Sequence, residues 1–314
     1  MQKLLPVFAI TALFFVACQK EAKEKPLKLP TSLAAVQAAI QTDTVHSSDW
    51  SGTIHSIIVA GRSYGRTNNV SVAVPEDYVL VGGGAVVSPQ FTAPGAFLTS
   101  SYPDADFTTW HTSSKDHYQT FTHTLTSYAV GIRIDGYSRA ELLQHMQLVN
   151  ADSYFESQPF AFVNVDSSYE LIGGGARATT SGAGLLLTTT QPDQMYWVAS
   201  AKDHLISSPG YLTAYAIGIS KDFATANNIE VEQRRGGNVN NAGFNIHFIG
   251  TDTTWVVTSA GGFTGGDRML ASLLPTANAV YAISSDLVVS ASGNSGVSMI
   301  RIRKKLPDNQ KANK

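Results

Sequence analysis

Residues Val74-Pro-Glu-Asp-Tyr-Val-Leu-Val-Gly-Gly-Gly-Ala85 recur as Val165-Asp-Ser-Ser-Tyr-Glu-Leu-Ile-Gly-Gly-Gly-Ala176, a step of 91 from Gly82 to Gly173. Three further blocks follow in the same order. Leu98-Thr-Ser-Ser-Tyr-Pro103 matches Leu187-Thr-Thr-Thr-Gln-Pro192, and Trp110-His-Thr-Ser-Ser-Lys-Asp-His117 matches Trp197-Val-Ala-Ser-Ala-Lys-Asp-His204. Leu125-Thr-Ser-Tyr-Ala-Val-Gly-Ile132 matches Leu212-Thr-Ala-Tyr-Ala-Ile-Gly-Ile219, and the gap from Trp to Tyr is 18 in both copies. Four blocks in one order identify a duplicated unit, and a repeat of this length decides the fold before any single element does. A third copy is more diverged. Trp255-Val-Val-Thr-Ser-Ala-Gly-Gly262 stands for the triple-glycine segment, Leu270-Ala-Ser-Leu-Leu-Pro275 for the Pro block and Met299-Ile-Arg-Ile-Arg303 for the final strand; Val280 replaces the Trp, and Lys-Asp-His is lost.

Each copy reads as about six short strands. In the first they fall near 54–61, 69–74, 78–87, 97–102, 108–114 and 125–134, where Val, Ile, Thr and Tyr alternate with smaller or polar residues and Gly, Pro, Asn and Asp separate the runs. The pattern predicts an all-β fold of three tandem six-stranded antiparallel repeats: 49–137, 138–225 and the divergent 226–305, followed by a basic tail over 306–314. A copy of this size can just support its own small core, so the repeats fit three beads. They equally fit one packed body, a β-sandwich or a β-prism-like arrangement with approximate threefold symmetry, and the short connectors at 135–140 and 221–228 favour packing. Helix is expected in two places, at 31–42 behind a Thr31 or Ser32 cap and at 138–149, where Leu142, Leu143 and Met146 recur.

The amino terminus reads Met1-Gln2-Lys3, then an apolar run from Leu4 to Ala17, then Cys18. The run is short for a membrane span and has the shape of a signal peptide. Its end, Phe15-Val16-Ala17-Cys18, resembles the lipobox of bacterial lipoproteins, with Phe where the usual Leu stands. The resemblance implies removal of residues 1–17 and lipidation of Cys18, the one thiol in the chain. No Asp follows Cys18, so the membrane partner implied is the bacterial outer membrane, at its periplasmic or its cell-surface face. Several acyl chains at ~0.8 kcal/mol per buried methylene anchor stably. Residues 18–48 then read as a charged tether. A net charge of −2 argues against nucleic acid as a partner, a single Cys excludes a disulfide framework, and 15% charged residues exclude a disordered chain. No cofactor or metal motif is present.

The repeat also resembles small secreted β units of bacterial exoproteins, which carry Cys-Pro-Ala-Gly before a triple Gly and Tyr-Ala-Val-Cys at the end. The resemblance covers most of residues 50–305. It places the first Cys at Val74 and Val165 and the second at Gly131 and Gly218, which implies a disulfide replaced by packing. It carries fold and secretion, not chemistry.

Several residue groups are candidate sites. Gly82, Gly83, Gly84 and Gly173, Gly174, Gly175 could suggest a phosphate loop, but a strand follows them rather than a helix N-terminus, so a bulge or close backbone crossing is expected. In the Lys-Asp-His segments, Lys115, His117, Lys202 and His204 are ligand-contact candidates. Asp116, Asp203 and the isolated Asp286 read as turn residues, and strand alternation puts Asp116 opposite Lys115 and His117, so no catalytic triad is implied. Trp110 and Trp197 read as core, while Tyr102 and Phe107, near a Pro turn, are the better exposed aromatic candidates. His111, His117 and His123, and Asp104 with Asp106, lack metal-site spacing. The six cations of 301–314 read as a solvated basic end.

The expected protein is therefore a lipid-anchored envelope module without catalysis that binds or adheres, with glycans as the favoured partner. An accessory of an envelope protein complex is the alternative, and a glycan hydrolase with dispersed carboxylates a third reading. The oligomeric state stays open.

Overall fold

The computed structural model describes residues 43–89, 95–117, 119–203, 205–239, 244–285 and 293–307. Cys18, the helix expected at 31–42, His204 and Asp286 lie outside the described residues. The first copy supplies β2 (Ile54–Gly65), β3 (Thr67–Ala73), β4 (Val79–Ser88), β5 (Ala96–Pro103), β6 (Thr109–Asp116) and β7 (His123–Ile134), preceded by β1 (Thr44–Ser48). The second supplies β8 (Met146–Asp152), β9 (Phe160–Asn164), β10 (Tyr169–Thr180), β11 (Leu186–Asp193), β12 (Tyr196–Lys202) and β13 (Gly210–Ser220). The third supplies β14 (Ile229–Val239), β15 (Phe244–Gly250), β16 (Val256–Thr264), β17 (Met269–Pro275), β18 (Ala279–Ser285) and β19 (Ser295–Lys304). Burial alternates strictly along β3 and β9, as half-buried pleats require, whereas β4 is buried on both faces over nine residues.

The helix expected over 138–149 is shorter. Helix α1 (Arg139–Leu143) is capped by Ser138, whose side chain accepts from the Glu141 amide while Glu141 reaches back to the Ser138 amide. It ends there because Met146 to Asp152 pair with β13, and the ladder outweighs local helical spacing. A second short helix, α2 (Lys221–Ala226), fills the next connector behind a Ser220 cap.

No copy forms a sheet of its own. The strands make three antiparallel sheets ordered β1-β2-β7-β4-β17-β18-β15, β3-β6-β5-β10-β13-β8 and β14-β19-β16-β11-β12-β9. Each sheet joins the first, third and last of one copy's six main strands to the second, fourth and fifth strands of another copy. Three seams make the joins: β4 to β17, β5 to β10 and β11 to β16, each a ladder of two residue pairs. Hydrogen-bonded seams of this kind exclude independent beads. Strands β14 to β19 are thereby divided between two of the three sheets.

The core lies between the sheets and draws apolar side chains from all three copies. At its centre β4, β10 and β16 meet. A Cβ at Gly82 would overlap the Thr258 carbonyl, and one at Gly173 would overlap the Val81 carbonyl. Thr258 Oγ1 closes the ring by donating to the Ile172 carbonyl at 2.7 Å. The ladder slips by one residue just before this point in every copy, between Leu80 and Gly82, Leu171 and Gly173, and Val257 and Ser259. The glycines thus combine a bulge with close backbone approach.

Candidate functional site

The sheet that joins copies one and two carries a groove on its less buried face. Strand β6 buries Trp110, Thr112 and Ser114 and turns His111, Ser113 and Lys115 outward. Across the seam, Arg177 on β10 faces Ser100 on β5, which faces Ser113 on β6, which faces Asn69 on β3. These residues, with Thr67, Thr99, Tyr102 and Thr179, line a cavity of about 450 Å³ walled by the turn from Thr180 to Leu185. A second cavity of about 230 Å³ adjoins it, sharing Lys115, Ala183 and Gly184, and is also lined by Arg66, Asp116 and His117.

Local chemistry fixes the lining. Ser113 Oγ lies 2.5 Å from Thr99 Oγ1 and 2.6 Å from Ser100 Oγ, a hydroxyl ladder along the groove floor. The Tyr102 ring stacks on Tyr215 at 5.3 Å and lies 5.2 Å from His111, whose Nδ1 is 2.8 Å from Ser71 Oγ. Arg177 lies over Tyr102 at 5.4 Å. Burial pushes the Tyr215 hydroxyl above its ordinary range, opposed by a hydrogen bond from Arg177. Gly184, at φ +114°, covers the Lys115 stem, and a Cβ there would come within 2.8 Å of Lys115 Cδ.

The remaining candidates lie elsewhere. Lys202 matches Lys115 but sits on another sheet, where its ammonium donates to the Gly266 carbonyl at 2.9 Å and lies 3.4 Å from Asp267. The two Lys-Asp-His segments do not share either cavity among the described residues. Asp116 pairs with Arg66 at 2.8 Å and accepts from the Phe121 amide, and Asp203 accepts from the Ser208 amide. Each carboxylate therefore accepts from the amide five residues further along the chain. His117 is buried edge-on against Phe97 at 5.2 Å.

Trp110 and Trp197 are buried, with their indole N–H groups donating to Ser101 and Thr190 hydroxyls. Each ring occupies the space a Cβ at Gly83 or Gly174 would need. Gly84 and Gly175 abut neighbouring strands at the seams, against Leu273 and Ser101.

Phe107 does not meet the expectation of an exposed face: it is 9% exposed and lines neither cavity. The reason lies in its turn, where Phe107 adopts φ +55° and Asp104 accepts from the Thr108 amide at 2.9 Å. Burial opposes ionisation of Asp104, yet hydrogen bonds from Thr108 and Thr109 outweigh it and lower the carboxyl.

His123 is also buried, 2.8 Å from Ser114 Oγ through Nε2, and burial holds its imidazole below the usual range against the opposing Phe121 carbonyl and Asp116. The basic end is not simply solvated. Arg301 and Arg303 belong to β19, bond Glu232 and Glu230 at 2.7 and 2.9 Å, and flank the Trp255 ring.

No model of a known protein family matches this chain, and no curated protein matches it either.

Arg177 and Gly184 lie outside the repeated motifs, and Thr99 and Ser113, though inside them, carry no sequence signal that marks them as site residues. Only the pairing of β5 with β10 brings Arg177 to the hydroxyls of copy one. Neither cavity is lined by two carboxylates among the described residues.

Proposed function

We propose that this protein is a non-catalytic binding module for glycans, held by a lipid on Cys18 at the bacterial outer membrane, and that the seam groove is its ligand site. The observation that carries the reading is the groove itself. Its volume falls within the ~300–1,000 Å³ of small-molecule sites. Thr67, Asn69, Thr99, Ser113 and Thr179 offer hydroxyl and amide hydrogen bonds, and half-buried Tyr102 offers an aromatic surface, the combination a saccharide ring requires. A rigid sheet supplies the preorganisation that such polar sites need. We also propose that the body has approximate threefold symmetry. The three seams join equivalent strands, and the bulges recur at equivalent positions.

A glycan array probed with the full-length protein, followed by calorimetric titration of the hits, tests the assignment. Binding is expected, and Asn69→Ala with Thr179→Ala is expected to weaken it about tenfold, since each lost hydrogen bond contributes about 0.5–1.5 kcal/mol. A panel with no binder at millimolar ligand would sink the reading.

One observation favours a second reading, an accessory role in an envelope protein complex. Edge strand β9 turns Phe160 and Phe162 outward beside Tyr196, and the two Phe side chains are 53% and 55% exposed. Stoichiometric co-purification of an envelope protein, lost in Phe160→Ser with Phe162→Ser, would favour it.

A further inference from the structure

We propose that the seam groove takes an acidic saccharide, one bearing a carboxylate or sulfate, and holds that group between Lys115 and Arg177. This rests on the glycan-binding reading and specifies its ligand. The larger cavity is lined by two cations and, among the described residues, by no Asp or Glu. Lys115 is half-buried, with its stem against Gly184, and its ammonium has no hydrogen bond or ion pair among those residues. A cation that faces a polar cavity without a protein partner is free to pair with an anion brought by the ligand, in a charge-assisted hydrogen bond.

The other two sheets serve as internal controls. The register that places Arg177 opposite Ser100 places Val86 opposite Ser272 and Phe263 opposite Thr189. Position for position, Lys115 becomes Lys202, whose charge is taken up by Gly266 and Asp267, and then Ser285. Tyr102 likewise becomes Gln191 and Leu274. Framework requirements recur in every copy, as the bulges do. The cation pair occurs at one seam alone, so the framework does not demand it.

Arg177 is exposed but not loose. The Tyr102 ring lies under its guanidinium at 5.4 Å and is itself stacked on Tyr215 at 5.3 Å. Asp116, the carboxylate that lines the adjoining cavity among the described residues, is already engaged by Arg66 and the Phe121 amide. The hydroxyls of Thr67, Thr99, Ser113 and Thr179 surround the cations, so the site suits an anion carried on a polyhydroxylated ring better than a bare ion.

Calorimetric titration of the full-length protein with matched oligosaccharides tests this: one neutral, one with uronate units and one with sulfate esters, plus inorganic sulfate alone. At least one acidic oligosaccharide is expected to bind about tenfold or more tighter than the neutral one, with the preference falling as salt rises. Arg177→Gln and Lys115→Gln, with thermal melts unchanged, are each expected to reduce that preference about tenfold. The uronate and sulfate arms identify which anion is read. Equal binding of neutral and acidic ligands, unaffected by either variant, overturns the acidic inference while leaving glycan binding intact. Inorganic sulfate binding as tightly as the sulfated oligosaccharide overturns the saccharide component. Binding by none of the four overturns the glycan reading and this inference together.

Discussion

Arg301 shows how one residue position can be solved in two ways. The register places it where copies one and two carry Gly131 and Gly218. In those copies the missing side chain accommodates a valine: a Cβ on Gly131 would lie 3.2 Å from the Val74 Cβ, and one on Gly218 would lie 3.2 Å from the Val165 Cβ. In copy three the corresponding pair is polar, with Arg301 donating to Thr251 Oγ1 at 2.6 Å. Burial lowers the Arg301 guanidinium, opposed by Glu232. The positions marked by the resemblance as a disulfide pair are therefore in contact. Their separation is only slightly below the ~3.5–4.5 Å between Cβ atoms in a disulfide. Val74→Cys with Gly131→Cys, in a Cys18→Ser background, is expected to oxidise spontaneously and to add about 2–4 kcal/mol of stability. A thiol titration that finds both cysteines free, or a lower melting temperature on oxidation, would contradict this. At this scale the sequence revealed pairs that the repeat holds at fixed spacing, such as Trp110 and Trp197. It concealed Phe107, because a left-handed turn residue and an exposed aromatic look alike until the Asp104 turn is seen.

At the scale of elements, strands were legible and their partners were not. The six runs read in copy one lie within a few residues of β2 to β7, because half-buried pleats impose an alternation that the sequence must display. The interval 138–149 was misread because Leu142, Leu143 and Met146 fit a helical spacing, while the β13 ladder that claims Met146 onward is distant in sequence. Packing of the second glycine against the Trp is an element-scale constraint on β4 and β6. A Cβ on Gly83 would come within 2.5 Å of the Trp110 ring. Copy three resolves the same conflict with Ala260 and Val280 at these positions. Gly83→Ala is accordingly expected to cost about 1–3 kcal/mol through overpacking. Adding Trp110→Val should make the two changes non-additive, with the alanine costing less in the valine background. Urea melts of the four proteins in the cycle measure the coupling, and strict additivity would show that the ring and the glycine do not constrain each other.

The whole molecule is where sequence says least. Repeats announce themselves by similarity, but similarity does not reveal whether strands stay at home or are shared, since either arrangement buries the same apolar faces. The structure resolves this through the seams, and the seam between copies one and two also creates the candidate site: Lys115 comes from one copy and Arg177 from the next. A motif search within either copy could not have found it.

The most direct test is a cross-link over that seam. Ser100 and Arg177 are register partners on β5 and β10. Directly opposed strand residues have Cα atoms ~4.5–5.5 Å apart, within disulfide reach. In a Cys18→Ser background, Ser100→Cys with Arg177→Cys should oxidise within one chain and yield, after digestion, a disulfide-linked peptide pair spanning copies one and two. Folded protein whose two thiols stay fully reactive under oxidising conditions would contradict the shared-sheet architecture and the groove built on it.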